Sequence, residues 1–499
     1  MEINGDDMTK FLLNINLKTL KDNNIIKNNV NKISKILSEI DEVREKHKYL
    51  CLSCIFGAFL GDSMGSCCEF SSPSKNNHIK IFEYKNGIFA PGEVTDDSEM
   101  AISAAFAYID AINEDPSIIQ DLLYYYFCIW RCTGPKDIGH ATQNALMFWN
   151  CQSIQDTEFN YKIVSGYNSD SLANGFLMRI STFIVYYYYS HLNYIETVIQ
   201  NYFSKENNEI TKEIKHLYYD IYIESSKNTQ ITHPNCENGI SSAVFTLMTL
   251  AGMVTNDANK VYILFKKISS SDKFFNCHKK NSYEKYTAQN VKEKYIAIIK
   301  EVESGKIMPV FSLMGYYIHG FKLSVYFIKK LIGKTINENT YYDIMCEVCD
   351  FGGDTDTNCA IVGAMIGPLI GYKKFKKIYF DKFITFIPEK RSQFNSAFMY
   401  IYVNYLEENL LKSHENQKNN NIKEKGENNT EKKEENEGKI NSNNKQDNID
   451  KKEEKKGGGF LNSLFSIFKS SSSDNKIKKE NFKYTAYKKI SEFLNKELN

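Results

Sequence analysis

Apolar residues recur at spacings of three and four along most of this chain, and that period constrains its fold more than any other feature. Because an α-helix has 3.6 residues per turn, such runs place their apolar side chains on one face of a helix. No strong alternating run predicts a strand, and no short turn sequence predicts a β-hairpin. We therefore predict an all-α fold. The clearest helical runs are 52–60, 100–112, 118–130, 239–253, 310–332 and 359–370.

Two short acidic clusters stand directly before apolar, small-residue runs that are predicted helices. Residues 95–97 have the sequence TDD, and residues 354–357 have the sequence DTDT after two glycines. Thr and Asp are common N-cap residues, so capping explains either cluster when it is taken alone. Capping uses one or two side chains per helix, however, and residues 354–357 offer four. The pair of clusters therefore indicates a site for hard divalent cations, which prefer oxygen ligands.

The composition is that of a large globular protein without a dominant charge. The 499 residues carry a net charge of +1 and are 42% hydrophobic. A nearly neutral chain has no strongly basic face, so nucleic acid is not an expected partner. The N-terminus contains acidic residues and no long apolar core, which argues against a signal peptide.

Twelve cysteines are scattered along the chain without regular spacing, which is typical of a reducing compartment. We therefore expect a cytoplasmic location, and a nuclear location is the alternative. Two CxxC pairs, Cys51 with Cys54 and Cys346 with Cys349, supply the four thiolates that a structural zinc site needs. Both pairs fall on predicted helices, where residues three apart face the same way. Burial in the core is the favoured interpretation, and zinc is the alternative.

The N-terminal residues 1–47 contain an amphipathic helical pattern, which places Ile33, Ile36, Leu37 and Ile40 on one face. We predict that this extension packs on the central body of the protein. The body itself is predicted to span residues 48–412.

The C-terminal part of the chain has a different composition from the body. Residues 413–459 are rich in Asn, Lys and Glu and predict a disordered linker, because they cannot bury enough apolar surface to fold. Residues 460–499 contain short amphipathic segments. The apolar patch at 460–468 is predicted to pack on the protein's own body, and docking on a membrane is the alternative.

Several motifs occur in the same order as in a known enzyme family. In chain order they are GAFLGDSMG at 57–65 followed by Glu69, TDD at 95–97, Trp130 with GPKDIG at 134–139, NGFLMR at 174–179, THP at 232–234 and GGDTDT at 352–357. In these motifs the chain resembles the ADP-ribosylglycohydrolases, which include the dinitrogenase reductase-activating glycohydrolases and the ADP-ribosylarginine and ADP-ribosylserine hydrolases. The chain departs from the family pattern at 170–173, a segment that is glycine-rich in many members and here contains Ser171.

The resemblance implies a compact, orthogonal helical domain of the ADP-ribosylglycohydrolase type, with a dinuclear magnesium site at helix N-termini and Mn²⁺ as the alternative ion. The implied metal ligands are Thr95, Asp96, Asp97, Asp354, Asp356 and Thr357. The implied substrate-binding residues are Ser171, Asn174, Gly175, Arg179 and His233. Arg179 would pair with the diphosphate or brace an acidic ligand, and Asp62 would support the metal ligands.

Three residues are the implied catalytic groups. Glu69 would contact the ribose and gate entry to the site. Asp354 is the first choice for the carboxylate that takes the proton from water, and Asp97 is the second. Cleavage of a ribosyl bond passes through an oxocarbenium-like state, which carboxylates near the ring stabilise.

The implied function is magnesium-dependent hydrolysis of the glycosidic bond between ADP-ribose and an acceptor, which reverses ADP-ribosylation. The acceptor would be a protein side chain or a small molecule, and a monomer is expected. A non-catalytic relative that binds ADP-ribose or serves a structural role is the alternative, and loss of acidic ligands would indicate it. A phosphohydrolase of another metal-dependent family is disfavoured because a His-rich ligand set is missing.

Overall fold

The structure, a computed structural model, describes residues 23–411 apart from 83–87, 114, 148–163, 165, 206–208, 273, 276–281 and 389–390. The predicted linker at 413–459 and the predicted segments at 460–499 therefore lie outside the described residues. The α-helices of the described part, numbered α1 to α16 in chain order, are Asn23–Glu39, Lys46–Gly65, Asp96–Asn113, Ile119–Cys132, His140–Leu146, Ile180–Ser190, Leu192–Ser204, Lys212–Thr229, Cys236–Thr255, Ala258–Ser270, Ser282–Ser304, Tyr317–Leu331, Thr340–Phe351, Thr355–Ile370, Lys377–Ile384 and Met399–Leu406.

The all-α prediction is confirmed, because the described residues form helices and two isolated β-bridges but no strand. One predicted helix begins later than the sequence pattern indicates. The run at 310–332 becomes helical only at Tyr317, where α12 starts. The residues before it form a turn in which Leu313 has φ = 55° and Gly315 has φ = 81°. These left-handed backbone angles are incompatible with a right-handed helix, so the apolar period extends into a loop.

The N-terminal helix α1 packs on the helical body. Ile33 and Leu37 on this helix, and Ile40 just after it, are buried. The hydroxyl of Tyr372 donates a hydrogen bond to the carbonyl oxygen of Leu37 at 2.6 Å. Ile36, the fourth residue of the predicted face, is half-buried. The described part of the extension, residues 23–47, therefore packs on the body of the same chain, and residues 1–22 lie outside the described residues.

Helices α2 and α14 cross with their backbones in direct contact. Gly57, Gly61 and Gly65 lie four residues apart on one face of α2. A Cβ atom at Gly61 would lie 2.4 Å from the carbonyl oxygen of Cys359, and one at Gly65 would lie 2.4 Å from that of Thr355. The Thr355 hydroxyl also donates to the Gly65 carbonyl at 2.7 Å. The glycine spacing thus lets the start of α14 approach the end of α2.

We expect Gly61→Ala to destabilise the protein by about 1–3 kcal/mol, because the added methyl group would push two helix backbones apart. Gly166→Ala is the matched control, since a Cβ atom at the exposed Gly166 would meet no atom of the described residues within 4 Å. Urea denaturation followed by circular dichroism measures both changes. Equal midpoints for wild type and Gly61→Ala would show that this helix crossing tolerates a side chain.

Two described helices are long and apolar enough to cross a membrane by length and composition alone. They are Lys46–Cys68, which comprises α2 and the turn after it, and Cys236–Thr255, which is α9. In these two helices 89% and 94% of the most apolar window is buried inside the structure. Their apolar composition is therefore accounted for by core packing.

Candidate active site

Asp62 on α2 caps the first turn of the neighbouring helix α3. Its carboxylate accepts hydrogen bonds from the backbone N–H of Thr95 at 3.1 Å, the backbone N–H of Ser98 at 3.2 Å and the hydroxyl of Ser98 at 2.5 Å. Because Asp62 fills the capping role from another helix, the Asp96 and Asp97 carboxylates of α3 are available for other partners. Burial raises the pKa of Asp62 to about 6 in spite of these hydrogen bonds.

The loop before α14 turns at two glycines and ends at Asp354. Gly352 and Gly353 have φ angles of 70° and 80°, which glycine adopts without steric cost. Asp354 is the N-cap residue of α14, but its side chain makes no capping hydrogen bond. Its Oδ2 instead accepts a hydrogen bond from Nδ2 of Asn174 at 2.6 Å. Capping therefore does not explain the Asp354 carboxylate.

Two groups of carboxylates lie close enough together to hold cations. In the first group, one oxygen each from Asp62, Asp97 and Asp356 lies within 4.8 Å of the others. The second group consists of Glu69, Asp354 and Asp356, with the same limit on distance. Asp356 belongs to both groups. Such an arrangement can hold two neighbouring cations that share one carboxylate.

The two groups together are called the acidic cluster, which consists of Asp62, Glu69, Asp97, Asp354 and Asp356. Asp97 and Asp356 form its buried floor, and each is 1% exposed. Oδ2 of Asp97 accepts hydrogen bonds from the hydroxyls of Thr95 at 3.1 Å and Thr357 at 3.3 Å. Oδ1 of Asp97 and Oδ1 of Asp356 are buried and have no hydrogen-bond partner among the residues that the structure describes. Burial and the neighbouring carboxylates raise the pKa of both groups well above the usual range. Burying a carboxylate oxygen without a partner costs free energy, which a bound cation would offset. These hard oxygen donors fit a divalent cation.

Glu69 lies at the partly exposed edge of the acidic cluster, on a turn that is bonded to the α14 loop. The backbone N–H of Phe70 donates to the Gly353 carbonyl at 2.7 Å, and the Gly353 N–H donates to the Ser71 carbonyl at 2.9 Å. Phe70 has φ = 58°, an uncommon angle for a residue with a side chain. Burial, followed by the charge of Asp354, raises the pKa of Glu69 to about 9.

Of the predicted substrate-binding residues, Asn174 contacts the acidic cluster, and Gly175, next to it in the chain, lies against His233. Asn174 reaches the cluster through the side-chain amide described above. A Cβ atom at Gly175 would lie 2.8 Å from Cε1 of His233, so the absence of a side chain there makes room for the ring. Ser171 is half-buried, and its carbonyl oxygen accepts a hydrogen bond from Nδ2 of Asn238 at 2.9 Å.

Two of the predicted site residues lie outside these groupings. Asp96 is buried but belongs to neither carboxylate group, and burial followed by the charge of Asp137 raises its pKa well above the usual range. Arg179 is fully buried, and its guanidinium donates hydrogen bonds to Gly175, Asn228 and Thr232. These contacts are with backbone and neutral side-chain oxygens and include none of the predicted acidic ligands, so both interpretations of Arg179 stay predictions.

Sequence reasoning missed Asn228 and Asp137. Asn228 lies within α8, and no motif surrounds it, so its contact with Arg179 had no signal in the sequence. Asp137 stands inside the GPKDIG motif, which could have pointed to it. Among the residues that the structure describes, neither CxxC pair joins a group of candidate ligands, and Cys51 and Cys54 are buried in the core.

Comparison with known proteins agrees with these observations. The profile of the ADP-ribosylglycohydrolase family matches residues 44–382, which is more than half of the chain. The chain belongs to the ADP-ribosylglycohydrolase family. A relative from Acanthamoeba polyphaga mimivirus, named "Putative ADP-ribosyl glycohydrolase L543", is 25% identical over 354 residues, which is 68% of this chain and 92% of the viral protein. A solved structure titled "ADP-ribosylglycohydrolase-related protein complex" covers 72% of this chain and 97% of its own, with 16% identity and a TM-score of 0.45.

Family membership supports a glycohydrolase that acts on ADP-ribosylated substrates, and the family generally uses divalent metals. The predictions of the family and of its all-α fold are thereby confirmed. The acidic cluster lies within the matched residues, as do the Asn174 turn and His233.

Proposed function

We propose that this protein is a magnesium-dependent hydrolase that cleaves the glycosidic bond between ADP-ribose and an acceptor. The proposal is carried by the pair of carboxylate groups that share Asp356 and by their buried oxygens that accept no hydrogen bond from the described residues. The acceptor would be a protein side chain or a small molecule. Because the acidic residues expected of an active member are all present, an active enzyme is favoured over a non-catalytic relative.

The residues that would hold the cations are Thr95, Asp96, Asp97, Asp354, Asp356 and Thr357. Asp62 would act through helix α3, because its oxygens already accept hydrogen bonds from Thr95 and Ser98. When bound, two Mg²⁺ or Mn²⁺ ions would supply positive charge that polarises ribose hydroxyls and makes a water molecule more acidic. Hard oxygen donors suit both ions.

Asp354 is the proposed general base. It is partly exposed, whereas Asp97 is almost fully buried and holds two threonine hydroxyls through Oδ2. A general base must reach the proton that it removes, and Asp354 meets this condition better. The Asn174 amide bonded to its Oδ2 would fix the orientation of the Asp354 carboxylate.

Glu69 would act at the mouth of the site. As the glycosidic bond breaks, positive charge develops on the ribose ring, and a carboxylate held beside the ring stabilises that charge. Glu69 lies at the partly exposed edge of the cluster, within the same group of oxygens as Asp354. This position supports a contact with the ribose from the solvent side.

The direct test of the function is release of ADP-ribose from defined substrates. The purified protein would be given arginine-linked and serine-linked ADP-ribosyl peptides with Mg²⁺, and separately with EDTA. We expect release from at least one substrate, and release only when Mg²⁺ is present. Binding of ADP-ribose without any release would instead support the non-catalytic alternative.

Addition of Mg²⁺ is expected to raise the melting temperature of the metal-free protein by a few degrees. Ligand at about 100 times its Kd stabilises a native state by about 2.7 kcal/mol, and cations also relieve the repulsion between the clustered carboxylates. Differential scanning fluorimetry with Mg²⁺, Mn²⁺ and then excess EDTA measures the shift. An unchanged melting temperature with both metals would contradict the proposed metal site.

A further inference from the structure

The guanidinium of Arg179 donates hydrogen bonds to protein oxygens from all three of its nitrogen atoms. Nε donates to Oδ1 of Asn228 at 2.9 Å, and one terminal nitrogen donates to the Gly175 carbonyl at 2.7 Å. The other terminal nitrogen donates to the Asn228 carbonyl at 3.1 Å and to the Thr232 hydroxyl at 2.8 Å. The guanidinium also lies 4.6 Å from the ring centre of Phe127. Arg179 therefore joins the turn at Gly175 to the start of the segment that carries His233.

The Thr232 hydroxyl lies between Arg179 and the imidazole of His233. Its oxygen is 2.8 Å from the Arg179 nitrogen and 2.7 Å from Nδ1 of His233. A guanidinium only donates hydrogen bonds, so the hydroxyl oxygen accepts from Arg179 and its single proton is free to go to Nδ1. The opposite arrangement, with Nδ1–H donating, would leave the hydroxyl proton of the fully buried Thr232 without an acceptor.

The same contacts determine the tautomer of His233. Because Nδ1 accepts a hydrogen bond, the proton of a neutral ring must sit on Nε2. The ring is neutral, since burial and the charge of Arg179 lower the pKa of His233 to about 3. Nε2 lies on the edge of the ring that faces Gly175, where a Cβ atom would approach it to 3.2 Å.

We propose that Arg179 and Thr232 are positioning residues that hold His233 as its Nε2–H tautomer, so that the ring donates a hydrogen bond to an oxygen of bound ADP-ribose. The inference rests on the proposed function, because it assigns the ligand group that His233 meets. That group must be an acceptor, such as a diphosphate or ribose oxygen. A ligand group that only donates would face another donor.

Nuclear magnetic resonance of the metal-free, ligand-free protein tests the tautomer directly. Histidine labelled with ¹⁵N distinguishes protonated from unprotonated ring nitrogens, and His233→Gln identifies the signals of this residue. We expect protonated Nε2, unprotonated Nδ1 and no titration between about pH 5 and about pH 8. Protonated Nδ1 in the wild type would overturn the inference without any change to the proposed function.

The variants Thr232→Val and Thr232→Ser then test the relay. Valine has nearly the shape of threonine but no hydroxyl, whereas serine retains it. We expect Thr232→Val to lose the single-tautomer signal and to weaken ADP-ribose binding about tenfold, with Thr232→Ser within about twofold of wild type. An unchanged tautomer and Kd in Thr232→Val would overturn the relay. If the wild type shows the expected tautomer but calorimetry detects no ADP-ribose binding, the proposed function fails, and the ligand contact fails with it.

Discussion

The variant Asp356→Asn is expected to lose turnover by about 1,000-fold or more, because Asp356 belongs to both carboxylate groups. Loss of a shared ligand weakens the site for each cation, and the expected factor corresponds to about 4 kcal/mol of transition-state stabilisation. The measurement is ADP-ribose release at saturating Mg²⁺. Asp354→Ala is expected to cause a loss of similar size, since it removes both a ligand and the proposed base.

The melting temperature of Asp356→Asn shows whether its loss of turnover is caused by unfolding. In the metal-free protein, burial and the charges of Glu69, Asp354 and Asp97 raise the pKa of Asp356, so its ionised form destabilises the fold at neutral pH. Asp356→Asn removes that charge, and its melting temperature in EDTA should equal or exceed that of wild type. Asp343→Asn, an exposed change on α13, should keep full activity. Activity of Asp356→Asn within tenfold of wild type would contradict the assignment.

The sequence predicts the helices well because burial of one face imposes a period that can be counted. The prediction fails at 310–316, where apolar residues continue the period but the backbone turns at Leu313 and Gly315. Leu313 and Met314 in this segment are exposed, so the apolar residues here mark neither a helix nor a buried face, which periodicity alone does not reveal. The sequence shows the glycine motif at 57–65 as part of the family pattern. Its physical role, which is to let α2 and α14 cross closely, becomes visible only when the position of α14 is known.

The acidic residues could be found from the sequence because each of the two clusters, 95–97 and 354–357, stands at the start of a helix. The family resemblance also named Asp62, Asn174 and Arg179, but the hydrogen bonds that these residues make could not be predicted. Capping of α3 by Asp62, the amide contact of Asn174 with Asp354, and the Arg179 contact with Asn228 all join residues that are distant in the chain. Such contacts follow from packing of whole helices, and spacing along the sequence carries no record of them.

Glu69→Gln is expected to reduce turnover by about 100-fold or more while ADP-ribose binding changes little. Glutamine keeps the shape and hydrogen-bonding reach of the side chain but cannot carry its negative charge. With divalent cations bound beside it, Glu69 would be ionised, and that charge matters most when positive charge develops on the ribose ring. Glu338→Gln, an exposed change, serves as the control and should behave as wild type.

The comparison of binding with turnover decides what Glu69 does. Calorimetry with ADP-ribose and Mg²⁺ would be run beside the release assay on wild type, Glu69→Gln and Glu338→Gln. A loss confined to turnover assigns Glu69 to the transition state, because uniform binding affects substrate and transition state alike. Equal losses in both measurements would mean that Glu69 only holds ligand or organises the cluster, since Phe70 beside it is bonded to the Asp354 loop. In that case Asp354 would be the remaining proposed catalytic carboxylate at the edge of the site. It would then have to stabilise the positive charge that develops on the ribose ring.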